Sequence, residues 1–227
     1  MRNSFIAILF LLFAICCRSQ QLSQVTFANA STLSWFSFST DQGILIRVSD
    51  EGKILEWGTE LASERSSNYY APKLQPYMGR VTYFDNDIDS VIRGKIRSIG
   101  TCSFTYYGAY EVEEKRGRLK SIGRINLDYF SRYENINLKG KLRIIGSDML
   151  DYYSQFESEG VKGKLKSIGT TTIAYNSVFE DKLIQGKVKS IGSVSFNWGT
   201  SLDIRYAGSL KSGLYRQNIN GIVYILR

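Results

Sequence analysis

The chain has 227 residues, with 29 lysines and arginines against 21 aspartates and glutamates, a 43% hydrophobic and 22% charged composition, three cysteines, two prolines and no histidine. That is the profile of one folded domain able to bury a core. The missing imidazole excludes Ser-His-Asp, Cys-His and HExxH chemistry and removes the commonest zinc ligand.

Residues 1–19 read as a secretory signal peptide, with Arg2 as its positive start, an uncharged run from Phe5 to Cys17, and Ser19 before Gln20. The run is shorter than the roughly 20 residues of a membrane-spanning helix. No transmembrane segment is therefore expected after cleavage. The residues before Cys16 and Cys17 lack the small side chain usual beside a lipidated cysteine, so no lipid anchor is expected. The expected address is the periplasm, the cell surface or the medium of a bacterium. Cleavage removes Arg2 and Arg18, leaving a basic product whose single cysteine, Cys102, can form no intramolecular disulfide and reads as a small buried hydrophobe.

Residues 20–51 follow as N-terminal cap strands, with Trp35 to Phe38 and Gly43 to Val48 as their clearest segments. A repeat array fills residues 52–213, and residues 214–227 form a C-terminal cap strand. In the array one heptapeptide recurs as GKIRSIG (94–100), GRLKSIG (117–123), GKLRIIG (140–146), GKLKSIG (163–169) and GKVKSIG (186–192), at a period of 23. Degenerate copies at 52–58, 73–79 and 208–213 bring the total to about eight units of 21–23 residues.

A second block follows each heptapeptide. Four residues after its last glycine stands Phe104, Leu127, Leu150, Ile173 or Phe196, and two further on Tyr106, Tyr129, Tyr152, Tyr175 or Trp198. Ten residues after it stands Tyr110, Tyr133, Phe156, Phe179 or Leu202. The spacing of two is a strand period. In the fourth unit Leu165, Ser167, Gly169, Thr171, Ile173 and Tyr175 would share the apolar face, with Ile168 on the other. Ile92, Leu138, Val161 and Ile184 then lead into pairs such as Arg93-Gly94 and Lys162-Gly163, which suit a tight turn. Each unit thus reads as a long strand, a turn, a shorter return strand and a turn.

Two all-β architectures accept such a unit, an extended antiparallel meander of hairpins or a parallel β-solenoid. A solenoid would stack the ten repeated cations at about 4.8 Å, whereas a return strand doubles the spacing to about 9.6 Å. The meander is therefore the expected fold. Its return strands would carry Glu113 opposite Lys120 and Glu159 opposite Lys166.

The first candidate binding surface is this basic stripe, formed by Lys95, Arg97, Arg118, Lys120, Lys141, Arg143, Lys164, Lys166, Lys187 and Lys189, which could meet an anionic glycan or an acidic protein. The second is an outer aromatic file of Tyr107, Phe130 and Tyr153. No catalytic residue is assigned, no cofactor or metal is expected, and nucleic acid is not an expected partner. Asp128 and Asp151 recur in successive units but are not set off from the repetition, and Asp85 to Asp89 reads as a solvated turn, without the glycine and glutamate of a calcium loop.

The units GK(I/L/V)KSIG followed by an apolar residue and a tyrosine pair resemble those of uncharacterised exported repeat proteins of Bacteroidetes-type bacteria. The resemblance covers Gly52 to Gly213 and implies no activity. The period is also similar to that of MORN repeats, without their Tyr-x-Gly-x-Trp core. The expected function is a binding or structural module of the cell envelope, taking an anionic glycan or a partner protein. The alternative is a polysaccharide-active β-solenoid enzyme using carboxylates.

Overall fold

A computed structural model describes residues 20–60, 73–85 and 89–227; the expected signal peptide lies outside them. Among the described residues there are twenty strands and no helix, so none is long and apolar enough to cross a membrane. The first five strands are β1 (Gln21–Ala28), β2 (Thr32–Ser39), β3 (Leu45–Val48), β4 (Ile54–Thr59) and β5 (Gln75–Pro76). The chain continues through β6 (Val81–Tyr83) into five hairpins: β7 (Ile96–Ile99) with β8 (Cys102–Tyr106), β9 (Leu119–Ile122) with β10 (Ile125–Tyr129), β11 (Leu142–Ile145) with β12 (Asp148–Tyr152), β13 (Leu165–Ile168) with β14 (Thr171–Tyr175), and β15 (Val188–Ile191) with β16 (Val194–Ser195). It ends in β17 (Asn197–Trp198), β18 (Leu210–Ser212), β19 (Arg216–Ile219) and β20 (Ile222–Leu226).

Strands β6 to β16 form one eleven-stranded sheet in which every neighbour is sequential and antiparallel. This is the expected hairpin meander; the parallel solenoid is not the fold. Strands β1 to β5 form a seven-stranded sheet with β19 and β20, closed by a parallel pairing of β1 with β20 that joins the two ends of the described chain. Strands β17 and β18 pair separately.

Three expectations about the unit change. The long strand is a hairpin, reversing at the last glycine of the heptapeptide. Gly169 takes φ +54°, a left-handed conformation in which an L side chain costs about 1–2 kcal/mol. Reversal resets the alternation, so Ile168 is buried on the core face it was not assigned to and faces Thr171 across the turn. The return strand is absent. Residues 107–118, 130–141, 153–164 and 176–187 are loops, each closed at its neck by two backbone bonds, such as Tyr153 N–H to Lys164 O at 2.8 Å and Gly163 N–H to Tyr153 O at 2.9 Å. Consequently Glu113 meets Arg132 and Glu159 meets Lys162, not Lys120 and Lys166. Each loop ends in the tight turn expected before Gly-Lys, as in Lys164 N–H to Val161 O at 3.1 Å with Gly163 at φ +68°. Finally, the degenerate copies at 52–58 and 73–79 belong to the seven-stranded sheet, where they supply β4 and β5.

The two sheets share one core, with Val25, Phe27, Phe36, Phe38 and Ile46 on one side and Ile99, Phe104, Leu119, Leu127 and Leu165 on the other. Turns of the seven-stranded sheet fasten it at both ends of the hairpins. At the loop end Asp50 O accepts from Leu142 N–H at 2.6 Å and Ala30 O from Val188 N–H at 2.7 Å. At the opposite end Thr101 bonds Gln42 and Asp41, and Asn220 bonds Thr171. The fold is a β-sandwich in which a non-repetitive sheet covers the apolar face of a repetitive one.

Candidate functional site: the loop edge of the repeat sheet

Most residues that make the repeat recognisable serve the fold. Each ring six residues after the heptapeptide's last glycine turns back and donates to the carbonyl ten residues earlier. The bonds are Tyr106 to Ile96 (3.0 Å), Tyr129 to Leu119 (2.6 Å), Tyr152 to Leu142 (3.0 Å), Tyr175 to Leu165 (2.9 Å) and the Trp198 indole to Val188 (2.7 Å). Burial pushes these phenols well above their ordinary range.

The aromatic file of Tyr107, Phe130 and Tyr153 is half-buried and packs against the core. Each ring stands edge-on to the next residue file, Tyr107 on Tyr129, Phe130 on Tyr152 and Tyr153 on Tyr175, at centroid distances of 5.9–6.1 Å. Tyr107 and Tyr153 also donate to the Leu127 and Ile173 carbonyls one unit ahead. The file therefore stitches successive units, and burial, with Asp128 beside it, pushes the Tyr107 hydroxyl up to about 12.

The basic stripe divides into two columns. Lys95, Arg118, Lys141, Lys164 and Lys187 are half-buried, each lying over its unit's ring at 4.7–5.6 Å. Lys141, Lys164 and Lys187 bond the glycine carbonyl that opens the next unit, while Arg118 and Lys141 reach Glu51 and Asp50 of the covering sheet. Desolvation lowers the affinity of Lys164 and Lys187 for their protons. In the second column Arg97, Lys120, Lys166 and Lys189 are exposed and Arg143 is half-buried. Arg143 pairs with Glu134, Lys166 with Asp151 at 3.5 Å and Lys189 with Glu180 at 3.8 Å, while Arg97 and Lys120 lie over Phe84 and Tyr107.

The remaining candidates are also engaged locally. Asp128 pairs with Lys115 at 2.5 Å. Asp89 caps its own turn through Val91 N–H and holds Ala109 N–H at 2.8 Å; Asn86 to Ile88 lie outside the described residues. No group of three or more metal-ligating side chains occurs among the described residues. Cys102 is buried, and desolvation pushes its thiol up to about 11. A cleft of about 250 Å³ lies where Gly52 and Lys53 meet Lys95, Tyr106 and Gly117.

One repeated feature has no partner among the described residues. In every loop a β-turn spans the residues from the eighth to the eleventh after the glycine, as in Glu134 N–H to Ser131 O, Glu157 to Ser154 and Glu180 to Ser177, all at 3.2 Å. The serine and the acid make the turn. Ser154 and Ser177 hydroxyls accept from Phe156 and Phe179 N–H, and Glu134 accepts from Ser131 N–H at 3.0 Å. The residue between them, Tyr110, Tyr133, Phe156, Phe179 or Leu202, points into solvent, at 90–105% exposure. The sequence shows these residues as a periodic file but suggests a return strand; the Ser-x-ring-Glu spacing is the turn signature that marks them as exposed. Successive units are two strands apart, so the file runs at about 9.6 Å per step.

Comparison with protein-family models, curated proteins and solved structures returns no match.

Proposed function

We propose that the protein is an exported, non-catalytic binding module of the cell envelope, with the repeat sheet as scaffold and the loop edge as contact surface. The single observation that supports this is the exposed file at Tyr110, Tyr133, Phe156, Phe179 and Leu202. Every other repeated ring packs on the core or on the next unit, whereas this file packs on none of the described residues and costs apolar exposure in every unit. Other loop positions vary: the residue before the ring is Ala109, Arg132, Gln155, Val178 or Ser201. Export rests on the sequence of residues 1–19, and the resemblance to exported repeat proteins agrees with it.

The test is cosedimentation of the purified protein with cell-envelope preparations. The wild type is expected in the pellet, and a variant with Tyr110, Tyr133, Phe156 and Phe179 all replaced by serine in the supernatant, at an unchanged thermal midpoint. Equal retention of the variant would refute the role of the edge. A second reading, an anionic glycan on the outer sheet face, draws on the exposed ammonium groups of Lys120, Lys166 and Lys189. It requires salt-dependent retention on heparin that is lost when these three become alanine.

A further inference from the structure

Resting on that reading, we infer that the loop edge binds a single extended, uncharged β-linked polysaccharide chain, one ring stacking on alternate sugars.

The regularity of the edge selects a polymer. Five side chains occupy the same turn position in five consecutive units, and at about 9.6 Å per step they span about 38 Å. In an extended β-1,4-linked chain alternate sugars present the same face, so the polymer offers a stacking surface once per disaccharide, a repeat of nearly the same length. The C–H face of a pyranose fits the electron-rich face of Tyr or Phe, and the equatorial hydroxyls at its rim need polar groups beside the ring. Exposed Gln155, Glu157 and Ser158 flank Phe156 in this way.

Charge selects against a polyanion. The loops 108–117, 131–140, 154–163 and 177–186 carry eight acids and six bases, so the edge repels an anionic chain slightly, even though the whole protein is basic. Geometry selects against flat partners. Strands twist by roughly −20 to −25° relative to each neighbour, so successive rings turn about a common axis and a planar membrane or crystal face meets only a few at once. The rings also stand one per unit instead of forming the contiguous apolar centre of a protein interface. A single extended chain, which can twist about its glycosidic bonds, can follow the file.

The experiment is native gel electrophoresis of the full protein through glucomannan or hydroxyethylcellulose, with dextran and heparin as comparison polymers, followed by titration calorimetry with β-1,4-gluco-oligosaccharides of increasing length. Retardation is expected in the two β-1,4 polymers and not in dextran or heparin. Affinity should climb with each added disaccharide along the file and fall about three- to tenfold for each ring changed to serine. Retardation that survives replacement of all four rings overturns the inference. So does absence of retardation in both β-1,4 polymers. If the four-ring variant has nevertheless lost envelope binding, the edge is a binding surface for something other than such a chain, and only the ligand assignment falls.

Discussion

Two aromatic residues four positions apart in one unit show how differently the fold uses similar side chains. Tyr152 is buried, stacks edge-on with Phe130 and donates to the Leu142 carbonyl, whereas Phe156 stands fully exposed from the described residues. Tyr152→Phe keeps the ring and leaves a buried carbonyl short of a donor, a loss of about 1–3 kcal/mol. Phe156→Ser is expected to stay within about 0.5 kcal/mol of the wild type. Chemical denaturation of the two variants measures both. A Phe156 variant as unstable as the Tyr152 variant would show that the loop ring packs in solution. The sequence made the inner file legible because a period of two after a regularly recurring glycine is a strand mark. It concealed the loop file because a ring in every unit looks like core until the serine two before it and the acid after it are taken together as a turn.

At the scale of the element, the hairpin is short because the heptapeptide glycine reverses the chain after four residues, and the loop is long because the unit must return to the start of the next strand. The hairpin turn was hidden in the sequence, since Ser-Ile-Gly continues an alternating pattern on both sides and nothing local marks Gly169 as left-handed. The repeated cation was legible as a stripe but not as two columns. That division depends on the ring folding back to the carbonyl beside the first cation, as Tyr175 does at Leu165 next to Lys164. The fold-back puts the ring under the first cation and leaves the second on the open face.

The buried ring file makes the element sensitive to alkali. Tyr129, Tyr152 and Tyr175 hold their protons in the folded state well above the ordinary phenol value because burial disfavours the phenolate. Above about pH 10 the unfolded chain binds fewer protons than the folded one, so each such tyrosine lowers stability by about 1.4 kcal/mol per pH unit. Their contribution is complete below pH 10 and is lost as pH rises towards the folded values. Lys164 and Lys187, lowered by desolvation, act with the opposite sign and only up to their ordinary value near 10.5, so the tyrosines prevail beyond it. The share of the phenolate absorbance that comes from the buried rings is therefore expected to appear together with the loss of near-ultraviolet circular dichroism, in one cooperative step above pH 10. Gradual ionisation of these tyrosines with the dichroism intact would contradict their burial.

Across the whole molecule, the covering sheet turns a repeat array into a fixed-length object. In a free linear array each unit contacts only its neighbours, so removing one leaves the remainder as stable as its length allows. Here Asp50 and Gly52 bind the starts of β11 and β9, while Ala30 binds the start of β15, and the residues between these anchors are matched to the number of hairpins they cross. Deleting residues 124–146 removes one full period and draws the anchors together by about 9.6 Å. The seven-stranded sheet can then keep one set of backbone bonds but not both, and its apolar face no longer meets the repeated core in register. The expected outcome is loss of several kcal/mol, a large part of the stability of an ordinary domain, seen as a much lower and broader thermal transition. A deletion variant that melts as sharply and as high as the parent would show that the covering sheet slides freely. The array would then be a modular solenoid-like scaffold, its length set by duplication alone.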